Sequence, residues 1–394
     1  MAKILLFTGK GGVGKTVMAA STALSLAKQE KRTIVLSTDP AHSLGDALEM
    51  NLGPEPREVR PYLWAQESDV LYNIEKHWGR VRKWLRAILT WRGVDELTAE
   101  EIAVFPGMDE LASLIWISYY QEGTEEYGQY DAIITDCAPS AESLRFLTFP
   151  EISKWWIKKI LPIEKKLFPI VSPIVRRITD IPIPEKEIFE DIEDLSSQLE
   201  KINSLLTNPE ITRIRLVVNP ENMVIKEAQR LYTYLSLYNY PIDLVICNRV
   251  IPEDEEDLYS KEWKESQNKY LKLIEESFAP LPIRKVPRLG PEVFGLKSLE
   301  EIANFLYGKD DPAQAFFKGR IITLEQENSD YLLSLRVPFF EKGDISLLRI
   351  GEELVVRIGN QRRNIILPKV VLNREPVGAK LKEGFLRIRF KEKV

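Results

Sequence analysis

Residues 9 to 16 of this 394-residue chain read GKGGVGKT, a glycine-rich loop that carries two lysines. Closely spaced glycines let the backbone turn tightly and point successive N–H groups at phosphate oxygens, while a lysine supplies charge and a threonine hydroxyl can hold Mg²⁺. The apolar run 3–8 predicts a buried strand, and 17–28 predicts a helix with an apolar face. We therefore expect a nucleoside triphosphate, contacted by Gly11, Gly12, Val13, Gly14, Lys15 and Thr16.

Lys10 is the unusual residue of the loop, because a phosphate-binding loop needs only Lys15. A second lysine at the start of the loop suggests a further cation for phosphate charge, one that reaches across to the nucleotide of a partner subunit. The alternative is a solvated surface lysine. The loop alone leaves both interpretations open.

Alternating strands and helices organise most of the chain. Apolar runs of strand type recur, separated by stretches of helical periodicity, and this order predicts a parallel sheet covered on both faces by helices. Two insertions, about 78–123 and 151–206, have mainly helical character. We assign residues 1–307 to this α/β domain, with the runs after the first at 33–37, 71–74, 131–135, 214–218 and 244–247.

The pattern changes near the C-terminus. Short runs of alternating apolar and polar residues, separated by glycines, predict a small all-β sandwich over 320–394. Residues 308–319 (GKDDPAQAFFKG) are interpreted as the linker between the two domains. The predicted strands of the sandwich are 331–337, 353–358, 363–367 and 385–390.

Composition narrows the class of protein. A hydrophobic share of 44% and a charged share of 29% are typical of a soluble globular chain, and the net charge of −5 does not favour nucleic acid as a partner. The two cysteines, Cys137 and Cys247, lie far apart, and with only His42 and His77 beside them we expect no zinc site. No signal peptide or apolar span of about 20 residues appears, so we expect a cytoplasmic protein.

Asp39 follows one predicted strand, and Asp136 ends another. Asp39 lies in STDPAHS (37–43) and Asp136 in YDAIITDCAPSAESLR (130–145). At the carboxyl edge of a parallel sheet, beside a phosphate-binding loop, such residues can hold the Mg²⁺ shell or orient an attacking water. A helix N-cap is the alternative for each alone. Their pairing with the loop favours the functional interpretation.

Together these segments resemble the arsenite-pump and tail-anchored-protein-targeting ATPases, which carry a deviant, two-lysine loop. The likeness covers about residues 3–306. Beyond the loop it rests on TDPAHS (38–43), PGMDEL (106–111), Asp136-Cys137-Ala138-Pro139, Asn219-Pro220-Glu221 and Asn248-Arg249.

The resemblance implies a role for each matching residue. Lys10 would act catalytically on the nucleotide of the other subunit in a homodimer, and Asp39 would orient the hydrolytic water. Lys15 and Thr16 would hold the phosphates and Mg²⁺, and Asp136 would support the metal through water. Asn219 and Asn248 would sit beside the adenine of ATP.

The chain departs from this family in two places. Residues 140–143 read Ser-Ala-Glu-Ser where the family's second switch usually has Thr-Gly-His-Thr, which affects how nucleotide state is relayed. Two isolated cysteines can form neither the zinc clasp of the eukaryotic targeting members nor the metalloid site of the pumps. A dimer of this chain would therefore rest on nucleotide and apolar contacts.

The tail resembles the small heat-shock, or α-crystallin, fold. The likeness rests on Leu335-Arg336-Val337-Pro338, on Gly351 to Val356, on RNIILP (363–368) and on Gly384 to Ile388. It implies a protein-contact or dimerisation module without catalytic residues.

Seven of the eight tryptophans fall between Trp64 and Trp156. Basic amphipathic segments begin at Trp78 and Trp155, and in the second of them three prolines prevent one long helix. In the resembled family this region forms a groove that shields a client's transmembrane helix, whereas ordinary core packing and membrane-surface binding are the alternatives. The predicted groove residues are Trp84, Leu85, Ile88, Trp155, Trp156, Ile160 and Leu167.

The leading hypothesis is an ATP-hydrolysing dimeric chaperone or targeting factor that binds hydrophobic segments of clients, tail-anchored membrane proteins among them, with transient membrane or receptor contact. An arsenite-type transport ATPase subunit is one alternative, and the shortage of cysteines argues against it. A partitioning or positioning ATPase of the same superclass is another. A chain that holds clients without turning over ATP also stays open, because the second switch is altered.

Overall fold

The structure is a computed structural model. It describes residues 1–39, 43–69, 108–123, 128–137, 186–252, 260–290, 293–319, 322–336, 345–351, 353–358, 361–367 and 369–392, with scattered positions between 72 and 96. The predicted groove residues Trp84, Leu85, Ile88, Trp155, Trp156, Ile160 and Leu167 lie outside the described residues. Among the described helices, none has the length and apolar character needed to cross a membrane.

An eight-stranded sheet in the order β3-β4-β2-β5-β1-β6-β7-β8 carries the first domain. Every neighbouring pair is parallel except β3 with β4. Strands β2, β5 and β6 are buried at every position, as expected where helices cover both faces of a sheet. The strands are β1 (Lys3–Thr8), β2 (Thr33–Ser37), β3 (Arg57–Arg60), β4 (Leu63–Glu67), β5 (Ala132–Asp136), β6 (Thr212–Val218), β7 (Ile242–Val250) and β8 (Ile283–Pro287).

Seven described helices accompany this sheet. The helix after the glycine-rich loop packs against β5 and against the last helix of the domain. The fifth helix buries Val224, Ala228, Leu231 and Leu235, residues spaced three or four apart, and so presents one apolar face to the core. The helices are α1 (Lys15–Lys28), α2 (Ser43–Leu48), α3 (Met108–Glu122), α4 (Lys186–Leu206), α5 (Asn222–Leu237), α6 (Ser260–Phe278) and α7 (Gly295–Tyr307).

One predicted strand is misplaced. Of the run 71–74 the structure describes Tyr72, which is helical, and the strand in this part of the chain lies earlier, at β4. A four-residue apolar run has too little periodicity to distinguish a strand from a helix.

The second domain is a sandwich of a four-stranded sheet, β14-β15-β10-β9, and a three-stranded sheet, β11-β12-β13. Alternate residues of β10 and β15, such as Leu333 and Ile388, point into a shared core with Leu354 and Val356 of β12. The predicted β-sandwich is thus confirmed. Its elements are β9 (Ile322–Glu327), β10 (Asp330–Arg336), β11 (Ile345–Ile350), β12 (Glu353–Ile358), β13 (Gln361–Ile366), α8 (Lys369–Leu372), β14 (Arg374–Lys382) and β15 (Phe385–Glu392).

The connector 308–319 packs along the first domain. Lys31 Nζ lies 2.7 Å from Asp311 Oδ2, and the Phe316 N–H donates to Asp243 Oδ2 at 3.3 Å. Arg215, which is fully buried, donates to the carbonyl of Pro312. The connector is therefore held at several points by side chains of the α/β domain.

Candidate functional site

The glycine-rich loop joins β1, which lies between β5 and β6, to α1. Gly14 precedes the helix with φ of 96°, and a Cβ there would lie 2.5 Å from the amide nitrogen of Asn248, so only glycine fits without displacing that side chain. Within the described chain, the first turn of α1 has neither an acidic residue nor a side-chain cap. Its N–H groups and the helix dipole are thus available to an anion.

The two lysines of the loop occupy different environments. Lys15 is 5% exposed, and its Nζ lies 3.5 Å from the carbonyl oxygen of Lys10. Lys10 extends to the surface, where its Nζ lies 3.9 Å from Oε2 of Glu227 on α5. Among the described residues that line the neighbouring pocket, Lys15 is present and Lys10 is not.

Strand register brings the two predicted aspartates together. Asp136 pairs with Ser37 across β5 and β2, and Asp39 follows two residues after Ser37. The Ser37 hydroxyl donates to Asp136 Oδ2 at 3.4 Å and accepts the Asp39 N–H at 3.3 Å, so this one serine connects both residues. Asp39 lines the pocket.

Asp136 is fully buried, and its Oδ1 has no hydrogen-bond partner among the described residues. Burial raises the pKa of this carboxyl group to about 7, against the lowering effects of Thr16, Lys15 and Ser37. An unpaired carboxylate oxygen beside the Thr16 hydroxyl is the hard oxygen donor set that Mg²⁺ prefers. These residues therefore fit the predicted metal.

A second hydroxyl lies at this site. Ser43, the first residue of α2, places its Oγ 2.9 Å from Oγ1 of Thr16, and Glu67 Oε1 at the end of β4 accepts the Gly45 N–H at 2.8 Å. Sequence reasoning missed Ser43 and Glu67 as site residues. The position of Ser43 directly after the TDPAH segment was the available signal, whereas nothing local marks Glu67.

Asn219 and Asn248 both hold the loop as well as lining the pocket. The Asn248 side-chain amide donates to the carbonyl of Val13 at 2.8 Å. With its amide nitrogen turned toward the loop, Asn219 donates to the same carbonyl at 3.3 Å. Their predicted contacts with adenine stay a prediction, and their contact with the loop was not foreseen.

The pocket has a volume of about 1130 Å³, slightly above the usual range for small-molecule sites. Its far wall follows the carboxyl ends of β7 and β8, where nucleosides bind in open parallel sheets. Gln267 of α6 fixes part of this wall, because its side chain bonds both the N–H and the carbonyl of Ile251. The family motifs in the sequence included Glu221 and Arg249, but the sequence did not point to the rest of this wall, which includes Gln267, Tyr270, Pro287, Arg288 and Phe294.

The described tryptophans of the predicted cluster divide between core and surface. Trp116 is fully buried and stacks on Tyr120, and Trp64 packs edge-on against Tyr130. Trp91 is 45% exposed. Core packing, the alternative considered for single tryptophans, thus holds for two of these three.

Comparison with known proteins agrees with this site. A family model described as "Anion-transporting ATPase" matches residues 2–308, and one described as "HSP20-like domain found in ArsA" matches residues 328–390. The putative arsenical pump-driving ATPase 1 of Aquifex aeolicus is 39% identical over 98% of this chain and 99% of its own length. The putative arsenical pump-driving ATPase of Chlorobaculum tepidum is 38% identical over 98% and 96% of the two chains. The ATPase GET3C of Arabidopsis thaliana is 28% identical over 77% and 82%.

The family matches confirm the predicted resemblance and, with it, the ATPase activity. The loop, the buried aspartate and the pocket at the carboxyl edge of the sheet supply the parts that such an activity requires. The chain belongs to the anion-transporting ATPase family and is an ATPase with a C-terminal HSP20-like domain.

Proposed function

We propose that this ATPase works in the cytoplasm as a homodimer whose nucleotide state opens and closes a helical groove for hydrophobic segments of client proteins, membrane proteins among them. Nucleotide binding by the loop drives closure, and hydrolysis resets the groove. The activity is thus that of a chaperone or targeting factor.

The observation that supports the homodimer is that the side chains of the two loop lysines lie in different places. Lys15 faces its own pocket, whereas the Lys10 side chain extends along the surface toward α5. A lysine that does not line the pocket of its own subunit can neutralise phosphate charge in another, in the manner of an arginine finger supplied by a partner.

Asp39, Asp136, Thr16 and Lys15 carry the hydrolysis in this proposal. Asp39 orients the attacking water, and Lys15 holds phosphate charge from within the loop. Bound Mg²⁺, held by Thr16 and through water by Asp136, would neutralise the charge on the β- and γ-phosphates. Residues 11–14 contribute backbone N–H groups to the same phosphates.

Client binding is supported by the composition of the two insertions and by the HSP20-like domain. Basic amphipathic segments rich in tryptophan suit an apolar guest with polar ends. The predicted groove from Trp84 to Leu167 stays a proposal, because it lies outside the described residues.

The names of the relatives favour a second candidate, the energising subunit of an arsenical pump. Metalloids bind soft thiolates. The chain has two cysteines, both are buried, and burial raises the pKa of Cys247 to about 12 and that of Cys137 still further. This arrangement keeps both thiols protonated and argues against a metalloid site built on cysteine.

A binding and turnover experiment separates the two candidates. We expect a fluorescent synthetic transmembrane-helix peptide to bind the full chain with an affinity that depends on ADP or ATP, measured by anisotropy. Replacing both Trp155 and Trp156 by serine should weaken the peptide about ten-fold or more, whereas Phe305→Ser, which removes an exposed apolar side chain of α7, should not. Arsenite should leave the ATPase rate unchanged.

Asp39→Asn tests the proposed chemistry. The substitution keeps the size of the side chain but removes the charge that orients water, so kcat should fall about 10²- to 10⁴-fold while ATP still binds. Asp69→Asn, which alters an exposed carboxylate two residues after β4, is the matched control. Turnover retained by Asp39→Asn, or stimulation of the wild type by arsenite, would contradict the assigned roles.

A further inference from the structure

Glu227 is the sixth residue of α5, and its carboxylate pairs with Lys10 of the glycine-rich loop. Both side chains are about one-third exposed, and the two charged atoms are 3.9 Å apart. The pair crosses between two elements that are more than two hundred residues apart in the chain. It holds the Lys10 side chain against its own subunit.

We infer that Glu227 is a positioning residue for Lys10: it holds this lysine in cis while the chain is unassociated and releases it when Lys10 acts on the nucleotide of a partner. This inference rests on the proposed homodimer. It adds to that proposal a specific competitor for the lysine, one that belongs to the same chain.

The ion pair between Lys10 and Glu227 is weak enough to be reversible. A pair at this distance and exposure stabilises weakly and is screened by salt, so its effect on an equilibrium is roughly two- to five-fold. A buried, well-bonded pair would trap Lys10, whereas this one yields to the larger charge of a triphosphate. The hold therefore biases dimerisation without preventing it.

The position of α5 adds a second reason. The helix begins directly after Pro220 and Glu221, both of which line the nucleotide pocket. Glu227 follows Glu221 by six residues, about 9 Å along the same rigid helix. The helix that holds Lys10 is therefore continuous with residues that line the site that Lys10 serves in the partner subunit.

Glu227→Gln tests the inference, because it removes the charge but keeps the shape of the side chain. Without nucleotide, amine-reactive labelling of Lys10, followed by mass spectrometry of the full chain, should quicken about two- to five-fold. With a non-hydrolysable ATP analogue and Mg²⁺, the dimer dissociation constant from sedimentation velocity should fall by a similar factor. Both effects should shrink in high salt.

Two further variants make the result specific. Glu276→Gln removes a charge from an exposed pair with Lys272 on α6 and should change neither measurement. In a Lys10→Met background, Glu227→Gln should no longer affect dimerisation, since the charge that it holds is gone. An effect that persists in that background would assign Glu227 a general electrostatic role and overturn the inference.

The outcomes of the labelling and dimerisation measurements also distinguish the role of Glu227 from the proposed function. Unchanged Lys10 labelling in Glu227→Gln would overturn the cis contact whatever the oligomeric state. Faster labelling with an unchanged or weaker dimer would overturn the competition. A wild-type chain that forms no dimer with any nucleotide would overturn the proposed function, and the labelling would still report on the contact itself.

Discussion

Burial opposes ionisation strongly at Asp136. The carboxyl group is enclosed at the carboxyl edge of the sheet, and desolvation raises its pKa to about 7 even though Thr16, Lys15 and Ser37 favour the charged form. A nearby cation reverses such a shift, because it stabilises the carboxylate directly. The ionisation of this group is thus linked to occupation of the site.

The shift predicts a pH-dependent stability in the absence of nucleotide and metal. Because the pKa is about 7 in the folded chain and near 3.8 in the unfolded chain, the folded state binds more protons between these values. The contribution of the Asp136 carboxyl group to folding stability is full below about pH 4 and is lost as the pH rises through 7. We therefore compare the free energy of unfolding of Asp136→Asn with that of wild type. The value for the variant minus the value for wild type should rise by about 2 to 3 kcal/mol from pH 5 to pH 8.

Urea denaturation at the two pH values measures this difference, since other titrating groups cancel between variant and wild type. Asp69→Asn, which alters an exposed carboxylate, should show a much smaller change. The same difference for Asp136→Asn at both pH values would contradict the raised pKa.

The glycine-rich loop shows how an element is shaped by a distant neighbour. Gly12 and Gly14 both have positive φ, 79° and 96°. An added Cβ at Gly12 meets no atom within 4 Å, whereas one at Gly14 meets the Asn248 amide that donates to the Val13 carbonyl. The two glycines thus have similar positive φ angles, but only Gly14 is constrained by a neighbouring side chain.

A pair of alanine substitutions tests this contrast in nucleotide-free protein. Gly12→Ala should lower the free energy of unfolding by about 1 kcal/mol, the cost of a left-handed residue with a side chain. Gly14→Ala should lose roughly 1 to 2 kcal/mol more, because Asn248 must turn away and give up its hydrogen bond to the Val13 carbonyl. Thermal or urea unfolding of both variants measures the difference, and equal losses would show that Asn248 does not constrain the loop.

The two domains and the connector meet at Arg336, the last residue of β10. This residue is 9% exposed. Its guanidinium donates to the Ala279 carbonyl at 3.0 Å and lies over the rings of Tyr232, Phe317 and Phe385. The three rings come from α5, the connector and β15, and Ala279 follows α6. One side chain thus joins the HSP20-like domain to the helix that follows the pocket residues Pro220 and Glu221.

Removing this side chain should loosen the docked domain. We expect Arg336→Ala to weaken the free energy of docking of the HSP20-like domain by about 1 to 3 kcal/mol, because the cation–π contacts and the hydrogen bond are lost. Chymotrypsin should then cleave after Phe316 or Phe317 in the connector about 5- to 100-fold faster. Arg357→Ala, an exposed arginine of β12, is the control, and an unchanged cleavage rate for Arg336→Ala would indicate that other contacts hold the domain.

Local structure could be predicted where contiguous residues carry the whole signal. The boundaries of β1 and β2 and the loop between β1 and α1 followed from apolar runs and closely spaced glycines, and the alternation in β10, β12 and β15 predicted the sandwich. The short run 71–74 failed because four residues do not define a period. Residue types and spacing therefore determined the glycine-rich loop, the parallel sheet and the existence of a β domain.

Only the tertiary structure decided which side chains meet at the loop. The strand order places β1 between β5 and β6, so Asp136, Asn219 and Asn248 reach a loop that lies more than a hundred residues away. The same folding sets Lys10 beside Glu227 and Arg336 over Tyr232. No local pattern encodes such contacts, because they depend on chain crossings whose energy comes from burying the whole sheet at once.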